Sequence, residues 1–334
     1  MTLALNSPCD MHLHLRDGAM LESVAPLSSA QFAAAVIMPN LLPPVCTTGE
    51  ALDYGARIRA VCGESFLPLL SLFFSPKLKD EIAAAKQNGI RLTKLYPQGV
   101  TTNSAKGVSA ILCEENLQIF EMLQEAGMIL CIHSETNGFV LEREHDFLPI
   151  LSEIARNFPR LTIIMEHISD ARSLELIESF PNTFGTITLH HLLFTLDDLL
   201  GGALKPHLFC KPCVKLPRDM QALRDVAFSG NPKFCFGSDS APHLRTHKEC
   251  AQCGAGVFSA PVALPALAEL FENHNALQSL SAFVCENAPR IYGFTPPQKL
   301  VRLRKARFDV ASDYGGVVSL FAGESLSWIL CDGH

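Results

Sequence analysis

The chain has 334 residues, 48% of them hydrophobic, enough to bury a sizeable core in one large domain or two ordinary ones. Its net charge of −7 comes from 27 Lys and Arg against 34 Asp and Glu. No basic cluster carries interleaved aromatics, which argues against nucleic acid as a partner, and no apolar run approaches the roughly 20 residues that cross a bilayer.

The N-terminus shows no basic segment followed by an apolar one, so no secretory signal is expected and the cytoplasm is the expected compartment. The 12 cysteines then read mainly as small buried hydrophobes in a reducing environment.

Residues 9–18 run Cys-Asp-Met-His-Leu-His-Leu-Arg-Asp-Gly. Within them, 11–15 alternate as a strand does, so His12 and His14 share one face and can converge on a metal ion, while Leu13 and Leu15 take the other. Further short apolar runs follow at 32–38, 66–73, 90–96, 128–133, 161–167, 184–190 and 233–239. Several are almost continuously hydrophobic, as parallel strands buried on both faces should be. Between them, 79–88, 114–126, 148–157 and 170–180 read as crossover helices, with Gly89 and Gly127 as C-terminal caps and Ser169 or Asp170 as an N-cap. The expected architecture is α/β, a (β/α)8 TIM-like barrel in one domain over 1–334. Residues 295–334 break the pattern at Pro296-Pro297, turn at 313–316, and are expected to form an accessory cap. The five basic residues between Lys299 and Arg307 read as a solvated face.

The candidate donors fall at strand ends: His12 and His14 on the first barrel strand, Lys94 on the fourth, His133 on the fifth, His167 on the sixth and Asp239 on the eighth. Nitrogen and oxygen donors of this kind suit Zn2+ or a similar ion, and a pair of ions would use them all. Such a pair needs a bridging anion, yet the fourth strand offers only Lys94. A buried lysine loses its charge readily, and its neutral amine can capture CO2 as a carbamate, so Lys94 is expected to be N6-carboxylysine.

His12-Leu13-His14-Leu15-Arg16-Asp17-Gly18, Met38-Pro39-Asn40, Lys94-Leu95-Tyr96-Pro97 with Thr101-Thr102-Asn103-Ser104, Glu166-His167-Ile168 and Gly237-Ser238-Asp239-Ser240-Ala241-Pro242-His243 together resemble the dihydroorotases of the short bacterial type, in the amidohydrolase superfamily. The resemblance runs from about residue 8 to 294. It implies a barrel of the metal-dependent amidohydrolase type and a reversible cyclisation of N-carbamoyl-L-aspartate to L-dihydroorotate in pyrimidine biosynthesis. It assigns His12, His14 and Asp239 to one Zn2+ and His133 and His167 to the other, with carbamylated Lys94 and a hydroxide between them. Asp239 becomes the catalytic proton shuttle. Arg16, Asn40 and His243 match residues that hold the substrate carboxylate. Lys211, Ala241 and Ala255 match residues that touch the substrate, the first and last through backbone groups, and Thr101 and Thr102 match a mobile loop. The resemblance also implies a homodimer.

Lys211 departs from the family pattern, where an apolar residue stands. Thr101 to Ser104 also fits a helix N-cap. Cys210 and Cys213 with Cys250 and Cys253 offer the spacing of a four-cysteine zinc site, although buried free thiols are commoner. Within enzymes the alternative is another cyclic-amide hydrolase of hydantoinase type, against which Arg16 and Asn40 argue because they suit a substrate with a free carboxylate. A non-catalytic scaffold is the alternative from a different class.

Overall fold

The computed structural model describes residues 1–331, so 332–334 of the expected accessory segment lie outside the described residues. In chain order the elements are β1 (Thr2–Asn6), β2 (Cys9–Leu13), α1 (Gly18–Gln31), β3 (Ala34–Ile37), α2 (Thr48–Cys62), β4 (Leu67–Phe73), α3 (Leu78–Gln87) and β5 (Leu92–Leu95). Then come α4 (Glu114–Ala126), β6 (Ile129–Ile132), α5 (Leu148–Asn157), β7 (Thr162–Met165), α6 (Ala171–Ser179), β8 (Thr183–Ile187), α7 (Leu189–Leu193), α8 (Leu196–Leu200), α9 (Pro217–Ser229) and β9 (Phe234–Phe236). The remainder is α10 (Arg245–Lys248), α11 (Ala263–Asn273), α12 (Asn287–Tyr292), β10 (Leu300–Asp309) and β11 (Ser325–Leu330).

Strands β2 to β9 pair in parallel in sequence order. The seam between β9 and β2 is closed just beyond β9, where Asp239 N donates to His12 O (2.8 Å) and His14 N to Ser240 O (3.2 Å). The result is the expected eight-stranded α/β barrel. Side-chain alternation divides its core in two. Cys9, Met11, Ala34, Val36, Leu92, Ile129, Cys131 and Ile164 share an inner cluster with Ala288, Ile291 and Tyr292 of α12. Ala35, Ile37, Leu95, Leu130, Ile132 and Ile163 belong to the outer layer between strands and helices.

That same alternation carries Lys94 inward above Leu92, and His133 above Cys131. On β2 it needs help. Strict alternation from Cys9 and Met11 would turn Leu13 inward, but the pairing with β3 shifts register between Asp10 and Leu13, and Leu13 and Leu15 join the outer layer. The bulge thus re-aims the strand so that both histidines face the barrel mouth.

The seam also rests on Asp10. Its Oδ1 accepts from Ser238 N (2.7 Å) and His12 N (3.2 Å), and its Oδ2 from Ser238 Oγ (2.6 Å). Burial pushes this carboxyl up to about 6 against those hydrogen bonds.

Three boundaries differ from the sequence reading. The strand expected over 184–190 ends at Ile187, because the Thr188 side chain accepts from His191 N and starts α7, which makes His190 helical. The strand expected over 233–239 stops at Phe236, and Asp239 follows in a left-handed conformation (φ +45°). The segment expected to be a cap instead supplies β10 and β11 of an antiparallel sheet ordered β1-β10-β11. Leu5, Val301, Leu303 and Trp328 are its buried face, and Trp328 Nε1 donates to Glu272 of α11 (2.9 Å). Val301 and Leu303 point in while Arg302 and Arg304 point out, which explains the basic stretch as the outer face of β10. The expected caps hold: Gly127 is left-handed after α4, Gly89 has φ +75° just after α3, and Asp170 accepts from Arg172 N ahead of α6.

Asp10→Ala removes the acceptor from two buried donors of Ser238. It is expected to destabilise the metal-free protein by about 2–4 kcal/mol, read by denaturant unfolding in chelator. An unchanged midpoint would remove Asp10 from the account of barrel closure.

Candidate metal centre and binding cavity

The strand ends converge as expected. His12 Nε2 and His14 Nε2 lie 3.4 and 3.1 Å from Asp239 Oδ1, and His133 Nδ1 lies 3.1 Å from His167 Nε2. Which nitrogen of each ring is free follows from its other contact. His12 Nδ1 is bonded to Glu166 Oε2 (2.8 Å), His14 Nδ1 to Asn40 Oδ1 (2.9 Å) and His133 Nε2 to Glu135 Oε2 (2.8 Å). These acceptors require the proton on their side, which leaves the opposite lone pairs aimed at Asp239 and at His167.

Electrostatics favour neutral donors. Burial lowers His14 to about 4, and lowers His133 and His167 as well. Burial alone would raise the Asp239 carboxyl; positive charge at the His14 side of Oδ1, a proton there or a bound cation in its place, holds it below its ordinary range. Glu166, also opposed by burial, is held below its ordinary range by His12 and by the hydrogen bonds from His12 Nδ1 and Thr186 Oγ1. Lys94 is fully buried, its ammonium is disfavoured by that burial, and its Nζ has no hydrogen-bond partner among the described residues. Two neighbouring sets of lone pairs around a buried amine that lacks a partner fit a pair of first-row ions with an anion built on Lys94.

A small cavity opens above these donors. All the expected residues line it except Lys94, which lies beneath, and His243, which stands beside Arg16. Arg16 enters no ion pair among the described residues. Its Nε donates to Pro242 O (3.1 Å), and Tyr54 Oη fixes its carbonyl (2.6 Å) in a left-handed turn (φ +59°). His243 Nε2 donates to Ala255 O (2.9 Å) and sits 3.3 Å from Arg16 Nη2. Burial, with Arg16 nearby, lowers His243 to about 3, so it stays neutral.

Asn40 does more than line the wall. Its Oδ1 orients His14, and its Nδ2 donates to Thr102 O (3.2 Å). Thr102 Oγ1 in turn donates to Ala255 O (3.2 Å), so the 101–104 loop is tied to both walls of the cavity. No helix begins at Thr101; Ser104 Oγ closes a turn by accepting from Thr101 N (3.0 Å). The alternative reading of 101–104 as a helix N-cap therefore does not hold.

Lys248 shapes the opposite wall. Its buried Nζ donates to the carbonyls of Gly254 (2.8 Å) and Gly256 (2.8 Å) on either side of Ala255, and to Phe209 (3.0 Å), two residues before Lys211. Both backbone segments that resemblance assigns to the substrate are thus pinned by one cation.

The four cysteines do not assemble. Cys210 and Cys213 are buried while Cys250 is exposed, and among the described residues Cys210 gathers instead with His190 and His191. Sequence reading gave no role to Asp10, Glu135, Glu166 or Lys248. Glu135 and Glu166 stand close to ligand histidines in sequence, the one signal that pointed to them, but Glu166 serves a ring 154 residues away.

Residues 9–294 match the amidohydrolase family. The chain is 51% identical to a dihydroorotase of Helicobacter hepaticus, over 98% of this chain and 97% of that one. Its structure superposes on a crystal structure of dihydroorotase from Campylobacter jejuni with a TM-score of 0.93 at 44% identity, covering 98% and 97% of the two chains. Against dihydroorotase from Saccharomyces cerevisiae in complex with 5-fluoroorotic acid the TM-score is 0.92 at 35% identity, covering 99% and 98%.

Glu166→Ala frees the His12 ring to turn and to change tautomer. Affinity for Zn2+ is expected to fall about 10–100-fold, measured by competition with a chromophoric chelator. An unchanged affinity would show that His12 needs no such support.

Proposed function

The chain belongs to the amidohydrolase family as a dihydroorotase, and on that premise we propose how its residues divide the work of interconverting N-carbamoyl-L-aspartate and L-dihydroorotate. The observation that carries the proposal is the orientation of the rings: the bonds to Glu166, Asn40 and Glu135 leave the free nitrogens of His12, His14 and His133 in two neighbouring sets.

His12, His14 and Asp239 would hold one Zn2+, and His133 and His167 the other, with Lys94 as the bridging carbamate. Bound there, the ions supply Lewis acidity toward the ring carbonyl and acidify the water that adds to it. Support for the carbamate comes from the buried, unpartnered Lys94 amine. Asp239 directs Oδ1 at the two histidines, and Oδ2 is the oxygen left to accept a proton from the attacking water and deliver it to the departing ring nitrogen. Cyclisation runs the same transfers backwards.

Arg16 grips the substrate carboxylate, for which an unpaired guanidinium on the cavity wall is suited. His243 stays neutral and lies against Arg16 and the Ala255 carbonyl. Asn40 keeps one N–H for the carboxylate while it orients His14. Thr101 and Thr102 close the substrate side, and Lys211, Ala241 and Ala255 face the ring. The side chain of Lys211 is half-buried, so its departure from the apolar family residue leaves a backbone contact available.

We extend the proposal to a homodimer acting in the cytoplasm, with 1–334 as one domain and the three-stranded sheet as its accessory part. All 12 cysteines are free, as a reducing compartment requires, and no helix among the described residues is long and apolar enough to cross a membrane. Light scattering of the purified protein tests the dimer.

The direct functional test is turnover of dihydroorotate beside hydantoin and allantoin by metal-analysed protein, with dihydroorotate expected to be strongly preferred. Arg16→Met is expected to cost about 2–4 kcal/mol of kcat/KM with metal content unchanged; normal turnover at low substrate would remove Arg16 from the carboxylate site. Near neutrality carbamoyl aspartate carries two carboxylates and dihydroorotate one, so ring closure consumes a proton. The equilibrium ratio of ring to open form should therefore fall about tenfold per pH unit, measured by approaching it from both sides; a ratio independent of pH would mean a different reaction.

A further inference from the structure

Just beyond β8, α7 sets His190 beside His191, ring centroids 4.5 Å apart, and the segment after α8 brings Cys210 against them. All three are buried, and one donor atom from each lies within 4.8 Å of the others. None lines the cavity described above.

His190 is the anomaly. It is 1% exposed, and neither Nδ1 nor Nε2 has a hydrogen-bond partner among the described residues. A neutral imidazole carries one N–H and one lone pair, and leaving such groups unpaired in a packed interior costs about 1–3 kcal/mol. A buried polar group in that state calls for a ligand.

Its neighbours hold polar bonds that a metal ion can take over. The Thr188 hydroxyl donates to His191 Nδ1 (2.9 Å). His191 Nε2–H and the Cys210 thiol both donate to the Pro212 carbonyl, each at 3.1 Å, and Cys210 Sγ is 4.0 Å from His191 Nε2. Moving the His191 proton to Nδ1, where the Thr188 oxygen accepts it, frees Nε2 without changing the ring's charge. Release of the thiol proton to solvent then frees Sγ. One proton leaves per divalent ion bound, and the charges balance.

We propose that His190, His191 and Cys210 form a separate metal site for a borderline-soft first-row divalent ion of the Zn2+ class. Two imidazoles and a thiolate select such an ion over Mg2+ or Ca2+. Zn–N and Zn–S bonds of about 2.1 and 2.3 Å place tetrahedral ligand atoms about 3.4–3.6 Å apart, so donors that now lie within 4.8 Å of one another must close by about 1.4 Å at most. The Pro212 carbonyl, which the two departing protons release, is the nearest oxygen to complete the set. The ion would join α7 to the segment that carries Lys211.

The test is Co2+ titration of the full-length, metal-stripped protein, followed in the near ultraviolet. The principal centre offers only nitrogen and oxygen donors, so a thiolate-to-Co2+ charge-transfer band reports Cys210 however that centre is loaded. The band is expected in the native protein, lost in Cys210→Ser and kept in Cys213→Ser and Cys253→Ser. His190→Gln, a second variant in case Cys210→Ser fails to fold, is also expected to lose it. Uptake of Co2+ without the band, or a band that survives either Cys210→Ser or His190→Gln, would overturn the proposal.

Discussion

What the barrel mouth can hold depends on how three imidazoles are turned. His12, His14 and His133 each give one N–H to a buried acceptor, Glu166, Asn40 and Glu135. The bonds to the Glu166 and Glu135 carboxylates are charge-assisted and worth about 1.5–3 kcal/mol each, the neutral bond to Asn40 about 0.5–1.5 kcal/mol, so ring orientation is set before any ion arrives. Burial meanwhile keeps His14, His133 and His167 neutral and disfavours the Lys94 ammonium. The mouth becomes a buried space lined with lone pairs and carboxylates, which cations satisfy best.

The backbone bears part of the cost. Arg16, His167 and Asp239 all have positive φ without being glycine, conformations that cost about 1–3 kcal/mol each when imposed on such residues. Each lies just past a strand, where the chain must leave the barrel wall and still turn its side chain over the mouth. The bulge in β2 and the Asp10 bonds across the seam solve the same problem at the other donors. Lys248 does so for the loop around Ala255, where three carbonyls converge on one ammonium. Rigidity is thereby concentrated around the site, with the 101–104 loop tied to it through side chains of Asn40 and Thr102.

Sequence reading reached the barrel because parallel strands buried on both faces leave continuous apolar runs, and it reached the donors because each stands at the end of such a run. It missed what depends on distant partners. Alternation alone places His12 and His14 on one face, but says nothing of the bulge that aims that face inward. Glu166 is adjacent to His167 and supports His12 instead, and Asp10 lies within the first motif with no local sign of its role, since Ser238 is 228 residues away. The strand at 2–6 is short and, among the described residues, pairs only with β10, so local pattern does not distinguish it from a tail. The 184–190 strand was overextended because apolar character continues through α7 while Thr188 supplies the stop.

The central proposal is that Lys94, whose amine has no hydrogen-bond partner among the described residues, completes the centre as an anion. The most direct measurement is a high-resolution crystal structure of the Zn2+-loaded protein grown with bicarbonate. The account predicts continuous density beyond Lys94 Nζ for a planar carboxylate whose two oxygens contact the two ions. Two fully occupied ions beside an unmodified Lys94 would contradict it.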